Sequence, residues 1–123
     1  MKAVFDTNIL IDFLSGYAPA QQVLQACGEK IISRITWMEV LVGVRDATDE
    51  SAVRTFLATF RIAEISAPIS EAAVQLRRTA TPRLKLPDAI IYATFRAERC
   101  SLITRNTRDF PDTLSDVSAP YSR

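Results

Sequence analysis

Short hydrophobic runs alternate with stretches of helical periodicity along the 123-residue chain. The runs predict strands at Ala3–Phe5, Ile31–Ser33, Arg61–Ile65 and Leu102–Thr104, with a last strand beginning at Val117. Apolar residues at helical spacing predict helices at Thr7–Leu14 and Ala20–Ala26, from Thr36 to about Val44, and at Ala52–Phe60. This alternation predicts an α/β fold with a short central parallel sheet covered on both faces, a three-layer α/β/α sandwich.

Two further helices are predicted in the second half of the chain. Ser70 can cap a helix whose apolar stripe contains Ile69, Ala72, Ala73 and Leu76. Prolines predict a loop from Thr81 to Pro87, and Pro87 suits the first position of a helix that runs to about Arg99. Because this last helix is apolar nearly all round, we expect it to be buried.

The composition is that of a single globular domain over residues 1–123, with 48% hydrophobic and 24% charged residues. The longest stretch without a charged residue, Phe13 to Gly28, is interrupted by Gly, Pro and Gln, so no membrane-spanning helix is expected. One Lys and three apolar residues precede Asp6, which leaves no room for the apolar part of a signal peptide. We therefore expect a cytoplasmic protein.

The chain contains no histidine and only two cysteines, Cys27 and Cys100. The absence of histidine excludes Ser-His-Asp and Cys-His hydrolases, zinc sites of the Cys/His type and a histidine general base. The two cysteines are far apart in sequence, so we interpret them as buried thiols rather than a disulfide. An enzyme with this sequence would have to use carboxylates or a hard metal ion.

Positive charge is concentrated in one segment, although the net charge of the whole chain is only +1. Residues 77–108 hold eight basic and two acidic side chains, whereas the segments on either side are net acidic. Such a segment could neutralise phosphate groups. Charge alone, however, favours the simpler interpretation of solvated helix surfaces.

Several oxygen-bearing side chains follow the predicted strands directly. In an open parallel sheet, ligands bind beyond the carboxyl ends of the strands. Asp6 stands at such an end, and Asn106 and Asp109 follow the strand Leu102–Thr104. Glu39 and Asp88 lie in the first turns of predicted helices. These side chains can converge on one edge of the sheet, which makes them candidates for a shared site.

Each of these residues also has a purely structural explanation. Glu39 can complete a capping box with Thr36, and Asp6 can cap the helix that follows it. Asp88 can favour a helix N-terminus, and Asn106 and Asp109 can form Asx turns. The sequence leaves two alternatives open: cap or ligand for Asp6, Glu39 and Asp88, and turn or ligand for Asn106 and Asp109.

The apolar surroundings of the carboxylates favour a functional role for the set. Glu39 is the only charged residue from Ile35 to Val44, and Asp88 precedes seven uncharged residues. Neighbouring, partly buried carboxylates need a compensating cation to stay ionised. Oxygen ligands without His or Cys suit Mg²⁺ or Mn²⁺, which retain waters for a substrate phosphate. The sequence therefore indicates metal-dependent phosphate chemistry.

Four segments of the chain resemble the PIN-domain ribonucleases, and most closely the VapC toxins of bacterial toxin–antitoxin pairs. They span nearly the whole chain in the expected order: Val4–Leu10, Ile35–Val40 followed by Gly43, Leu84–Ile91, and Leu102–Phe110. The resemblance implies a PIN-like fold and an endoribonuclease that uses Mg²⁺ or Mn²⁺. It also implies a homodimer that is inhibited by a VapB-type antitoxin, whose C-terminal segment lies over the active site.

The resemblance further implies that Asp6, Glu39 and Asp88 bind the metal and act in catalysis. A fourth acidic position of the family often falls where this chain has Asn106, so the fourth role is divided between Asn106 and Asp109. We assign it to Asp109 because a carboxylate pairs with a hard cation better than an amide does. The polar residues expected to support this acidic cluster are Thr7, Asn8, Thr104 and Asn106.

Other residues are expected to contact RNA or a protein partner. The candidates for holding the RNA backbone come from the basic segment and are Arg83, Lys85, Arg105 and Arg108. The apolar faces of Trp37–Val44 and Ala52–Phe60 exceed what a small core needs. We expect them to form the dimer contact and part of the antitoxin groove.

Three other interpretations of the sequence compete with this one. A haloacid-dehalogenase-like phosphohydrolase has a second aspartate two residues after the first, and here that position is Asn8. A receiver domain needs a late Lys, and the last one here is Lys85. A non-catalytic interaction module with a PIN fold would also retain the acidic residues, and only an activity assay distinguishes it.

Overall fold

The computed structural model describes residues 1–81, 83–110 and 116–123. Five strands are present in these ranges: β1 Lys2–Phe5, β2 Glu29–Ser33, β3 Arg61–Ala63, β4 Ser101–Ile103 and β5 Val117–Ser118. Six helices are present in the same ranges: α1 Thr7–Leu14, α2 Ala18–Gln25, α3 Arg34–Val42, α4 Ala47–Leu57, α5 Ala67–Thr79 and α6 Leu86–Ala97. The predicted alternation of strands and helices is confirmed.

The five strands form one parallel sheet in the order β3-β2-β1-β4-β5. Consecutive residues of β1 point to opposite faces, as the pleat requires. Phe5 joins an apolar cluster with Ile9, and Val4 joins a second cluster with Ile91 and Phe95 of α6. Both faces of the sheet are therefore covered by helices, which confirms the three-layer sandwich.

α2 begins two residues and α6 one residue earlier than predicted. α3, α4 and α5 also begin earlier than predicted, and each of these three has a polar cap. α3 begins at Arg34 because the Ser33 hydroxyl accepts from the Ile35 N–H, and Thr36 lies within the helix. α4 begins at Ala47, where the Asp46 side chain accepts from the Asp49 N–H. α5 is capped by Ser66 rather than Ser70, and the Ser70 hydroxyl donates to the Ser66 carbonyl within that helix. In each case an earlier polar side chain satisfies the free N–H groups of the first turn.

The other predictions about the framework concern α6, the loop before it, the two cysteines and the absence of a membrane-spanning helix. α6 is buried along much of its length, as expected, and carries a proline in its first turn. Pro82, within the predicted loop, lies outside the described residues. Cys27 is buried and Cys100 is half-buried, and both are free thiols. No helix in the described ranges is long and apolar enough to cross a bilayer.

Candidate active site

The candidate site is centred on Asp6, at the point where β1 ends. Its Oδ1 accepts a 2.7 Å hydrogen bond from the Thr7 N–H and thereby caps α1. Its Oδ2 accepts from the Thr104 hydroxyl at 2.7 Å and from Asn8 Nδ2 at 3.1 Å. β1 and β4 are neighbours in the sheet, which brings Thr104 against Asp6. Asp6 is therefore a helix cap and a buried acid at once.

Burial changes the proton affinity of Asp6, which is only 4% exposed. Loss of solvation raises the pKa of this carboxyl above its usual value, although hydrogen bonds from Thr104 and the Thr7 N–H oppose the rise. The charge of Glu39 raises the pKa further. A cation beside Asp6 would remove this penalty.

Glu39 reaches the same site from α3. Its Oε1 accepts a 2.7 Å hydrogen bond from the Thr7 hydroxyl, which also lies 3.1 Å from Thr36 Oγ1. The capping box with Thr36 is wrong, because α3 begins at Arg34 and Ser33 provides the cap. Glu39 is consequently in the second turn of the helix, where its carboxylate is exposed at the carboxyl edge of the sheet.

Asp88 lies half-buried in the first turn of α6. Burial, together with the charges of Asp6, Asp109 and Glu39, raises the pKa of its carboxyl to about 6. The positive charge of Lys85 opposes this rise only in part. The four acidic side chains therefore share one electrostatic environment in which like charges repel.

Asn106 and Asp109 form a reciprocal pair after β4. Asn106 Nδ2 donates to Asp109 Oδ2 at 3.0 Å, and the Asp109 N–H donates to Asn106 Oδ1 at 3.2 Å. The Asn106 N–H also donates to the Thr104 hydroxyl at 2.9 Å, which connects this turn to Asp6. The Asx turn is therefore present, and it orients the carboxylate of Asp109 as well as the backbone.

The chemistry of these side chains fits a hard divalent cation. All the candidate ligands are oxygen donors, and their mutual repulsion would be relieved by a dication. Within residues 1–81, 83–110 and 116–123, no three acidic or thiol side chains are assembled closely enough to hold an ion in their present positions. Asp6 is held by hydrogen bonds on both oxygens, whereas Glu39 is exposed and Asp88 is half-buried.

The four RNA-backbone candidates occupy different environments. Arg83, Lys85 and Arg108 are exposed. Arg105 instead makes a two-point ion pair with Asp12, a buried residue of α1, through Nε at 2.9 Å and Nη2 at 3.2 Å. Sequence reasoning missed Asp12. The available signal was a lone charge within an otherwise uncharged helix.

An apolar groove of about 720 Å³ runs beside the candidate site. Ile11 and Leu14 of α1 line one side, and each is more than a third exposed. The other side is formed by the end of α3, the turn after it and α4, with Val40, Gly43, Val44, Ala52, Val53 and Phe56 among the lining residues. Two helices of the groove also carry residues of the site, because Thr7 lies on α1 and Glu39 on α3. The groove-lining residues Ile11 and Val40 come after Thr7 and Glu39 on these helices.

Comparisons with known proteins agree on one fold. The family model described as PIN domain matches residues 3–113. A solved chain of a toxin–antitoxin complex from Klebsiella pneumoniae is 49% identical, with a TM-score of 0.90 over 99% of this chain and 100% of that chain. No curated protein matches the chain.

Two more distant solved structures share the fold. DNA-bound VapBC from Salmonella typhimurium is 17% identical, with a TM-score of 0.83 over 98% of this chain and 99% of that one. FitAcB from Neisseria gonorrhoeae is 21% identical, with a TM-score of 0.80 over 96% and 97% of the two chains. At such low identity the likeness is one of architecture.

Proposed function

The chain belongs to the PIN domain family, and from this premise we propose that it is a metal-dependent endoribonuclease, the toxin of a toxin–antitoxin pair. The observation that carries the proposal is the group of like charges at the carboxyl edge of the sheet. Asp88 has its pKa raised to about 6 by burial and by three other acidic residues, one of which is the buried Asp6. Acidic residues are concentrated in this way where a protein binds a metal ion.

Asp6, Glu39, Asp88 and Asp109 would hold Mg²⁺ or Mn²⁺. When bound, such an ion supplies a water of lowered pKa and polarises the scissile phosphate of RNA, so no histidine base is needed. Hydrolysis with in-line attack would leave a 5′-phosphate and a 3′-hydroxyl.

The protein's own polar residues would position these acids. Thr104 and Asn8 hold one oxygen of Asp6, and the Thr7 hydroxyl holds Glu39. Asn106 holds the carboxylate of Asp109. Asn8 donates its amide protons and cannot serve as the acid that a haloacid-dehalogenase-like phosphohydrolase requires at this position. The network therefore favours a fixed set of anionic ligands.

The protein partner would be an antitoxin whose apolar segment occupies the groove between α1 and α4. Support comes from the exposed apolar side chains of Ile11 and Leu14 and from the 49% identical chain of a toxin–antitoxin complex. Ile11→Glu places a charge on this surface, so it should weaken antitoxin binding while leaving RNA cleavage intact. A second copy of the chain is the other expected partner.

The decisive experiment is cleavage of single-stranded RNA by the purified protein with Mg²⁺ or Mn²⁺, compared with the same reaction in EDTA. Cleavage that stops in EDTA and in Asp6→Asn, and that yields 5′-phosphate ends, is the expected result. Cleavage that continues in EDTA would contradict the metal-dependent mechanism. A protein without any cleavage would instead be a non-catalytic module with the same fold.

A further inference from the structure

A second cluster of charged residues surrounds Asp12 of α1. Asn8 lies between this cluster and the candidate site, because its side chain contacts both Asp6 and the backbone of Arg105. The Asp12 side chain is 3% exposed. Besides Arg105, it accepts 2.9 Å hydrogen bonds from Arg123 Nη1 and from the Tyr121 hydroxyl. Burial acts against ionisation, but these hydrogen bonds hold the pKa of Asp12 below its usual value. Asp12 is therefore a buried anion that anchors two guanidinium groups.

Both arginines keep part of their surface free. The side chain of Arg105 is 34% exposed and that of Arg123 is 40% exposed. Arg105 uses Nε and Nη2 for Asp12, and Arg123 uses Nη1 for Asp12 and Ser15. The remaining N–H groups of both side chains make no hydrogen bond to any residue that the structure describes. The cluster thus holds two guanidinium groups against the one carboxylate side chain of Asp12.

Both arginines line an open polar cavity of about 340 Å³. The wall is made of Arg105, Thr107, Ala119, Tyr121, Ser122 and Arg123, and no acidic residue lines it among the described residues. Fixed guanidinium groups together with hydroxyl groups are the donors that bind phosphate in proteins. Because Asp12 already holds both arginines in place, little side-chain entropy would be lost when an anion binds.

The cavity adjoins the candidate metal site. The Arg105 N–H donates to Asn8 Oδ1 at 3.1 Å, and Asn8 Nδ2 donates to Asp6 Oδ2 at 3.1 Å. One residue, Arg105, therefore borders the cavity with its side chain and the metal site with its backbone. An RNA strand whose scissile phosphate lies at the acidic cluster carries further phosphates on each side of it.

We propose that this cavity binds a non-scissile phosphate of single-stranded RNA, next to the one that is cleaved. The inference rests on the proposed function and adds a subsite to it. Arg105 and Arg123 would contact the phosphate oxygens, with Thr107 at the rim. Contacts of this kind fix the register of a nucleic acid without reading its sequence.

The test measures RNA binding separately from cleavage. The probe is a single-stranded 2′-O-methyl oligouridine, titrated in EDTA at several NaCl concentrations and followed by fluorescence anisotropy. The plot of log Kobs against log salt has a negative slope. For single strands, removing the charge that neutralises one phosphate decreases the magnitude of this slope by about 0.7. Arg123→Gln should show this decrease, and Arg123→Lys, which keeps the charge, should retain the slope.

A matched control lies at the opposite edge of the sheet. Arg61 also pairs with carboxylates, those of Glu29 and Glu98. It is the first residue of β3 and lies at the amino end of that strand, whereas Asp6 follows the carboxyl end of β1. Arg61→Gln should leave the slope unchanged. A second test avoids the Asp12 cluster altogether: Thr107→Glu places a negative charge at the rim of the cavity and should weaken binding, whereas Thr107→Gln should not.

The outcomes separate the subsite from the proposed function. An unchanged slope in Arg123→Gln together with unchanged RNA binding by Thr107→Glu overturns the subsite. If Arg123→Gln lowers only the melting temperature, the cluster serves only to anchor the residues around Tyr121. Loss of antitoxin binding without a change in the RNA slope also overturns it. If the wild-type protein binds RNA with the expected slopes but does not cleave it with Mg²⁺, the subsite stands and the nuclease proposal fails.

Discussion

The hydroxyl of Thr7 donates a 2.7 Å hydrogen bond to the carboxylate of Glu39, and this contact joins the first turn of α1 to the second turn of α3. The partners are 32 residues apart in sequence. Thr7 also follows Asp6 directly, so the contact brings Asp6, the cap of α1, and Glu39 of α3 to one edge of the sheet. It provides the first test of the site.

Glu39→Gln should lower RNA cleavage by at least about 100-fold, because it removes an anionic ligand from the metal. Gln can still accept from Thr7, so the melting temperature should stay within about 2 °C of the wild-type value. Cleavage assays and thermal melts check the two parts. Glu50→Gln, on the exposed face of α4, is the matched control and should change neither quantity by much. Full activity in Glu39→Gln would remove Glu39 from the ligand set.

Asp6→Asn should abolish cleavage and weaken Mn²⁺ binding, while the fold remains intact. Asn is as good a helix cap as Asp and keeps the bond from the Thr7 N–H, but its amide nitrogen cannot accept from Thr104 and Asn8, so the loss of stability should be about 1–3 kcal/mol. Calorimetric titration with Mn²⁺ and RNA cleavage are the measurements. Asp46→Asn makes the same change at the cap of α4, away from the site, and should keep both properties. A cleavage rate equal to that of the wild type would show that the metal site is misassigned.

The raised pKa of Asp88 predicts how the metal-free protein responds to pH. Between its ordinary value of 3.8 and about 6, the folded protein keeps a proton that the unfolded chain has lost. Stability should therefore fall as pH rises through this window. Asp88→Asn lacks this loss and should melt about 2–4 °C higher than the wild type at pH 7 in EDTA, but not at pH 4.

Thermal melts of both proteins from pH 4 to pH 8 test this expectation. Added Mg²⁺ should stabilise the wild type at pH 7 more than Asp88→Asn, because the ion compensates the ionised carboxylate. If the melting temperatures of the wild type and Asp88→Asn differ by the same amount at every pH in this range, the assignment of Asp88 to the acidic cluster is contradicted.

Asp109→Asn should lower cleavage by a larger factor than Asn106→Ala, and excess Mn²⁺ should restore part of the loss. The negative charge of Asp109 raises the pKa of Asp88, whereas Asn106 is neutral and acts by holding the Asp109 carboxylate. The two cleavage rates, measured over a range of Mn²⁺ concentrations, decide between them. Should Asn106→Ala be the more damaging variant, or should Asp109→Asn alter only the melting temperature, the fourth ligand is not Asp109.

The dimer prediction concerns the apolar face of α3. Val42 is 86% exposed and Met38 is 39% exposed, so neither contributes to the core of the chain. The wild type should sediment as a dimer at micromolar concentration, and Val42→Asp should shift it towards the monomer with little change in melting temperature. A wild-type monomer under these conditions would contradict the expected contact.

Local patterns were sufficient to predict much of the framework. α1 matches its predicted range because Asp6, an effective cap, precedes an amphipathic stretch. The alternation of strands and helices places Asp6 and the residues after β4 at one edge of the sheet, as observed. The first residue of α3 was missed because Ser33 and Thr36 are both suitable caps, and the sequence does not show which hydroxyl meets a free N–H group.

Contacts between distant residues could not be predicted in this way. Arg105 is 93 positions from Asp12, and Arg123 is 111 positions from it, so no local spacing relates them. The charge pattern marked Arg105 as one of several basic residues but did not reveal its partner. The pairing of Asn106 with Asp109 is local, but the choice between a turn and a ligand depends on the position of Asp88, which belongs to another helix.

The central position of β1 in the sheet has a consequence for synthesis. β1 lies between β2 and β4, and Asp6 takes its hydrogen bond from Thr104, 98 residues later in the chain. A ribosome releases the N-terminal part first, so Asp6 and Glu39 emerge well before β4, the strand that completes their edge, whereas Asp88 precedes β4 closely. Products of interrupted translation that end before β4 would carry these three acids without the assembled site, and a growing polypeptide would acquire it only after β4 and Thr104 have been synthesised.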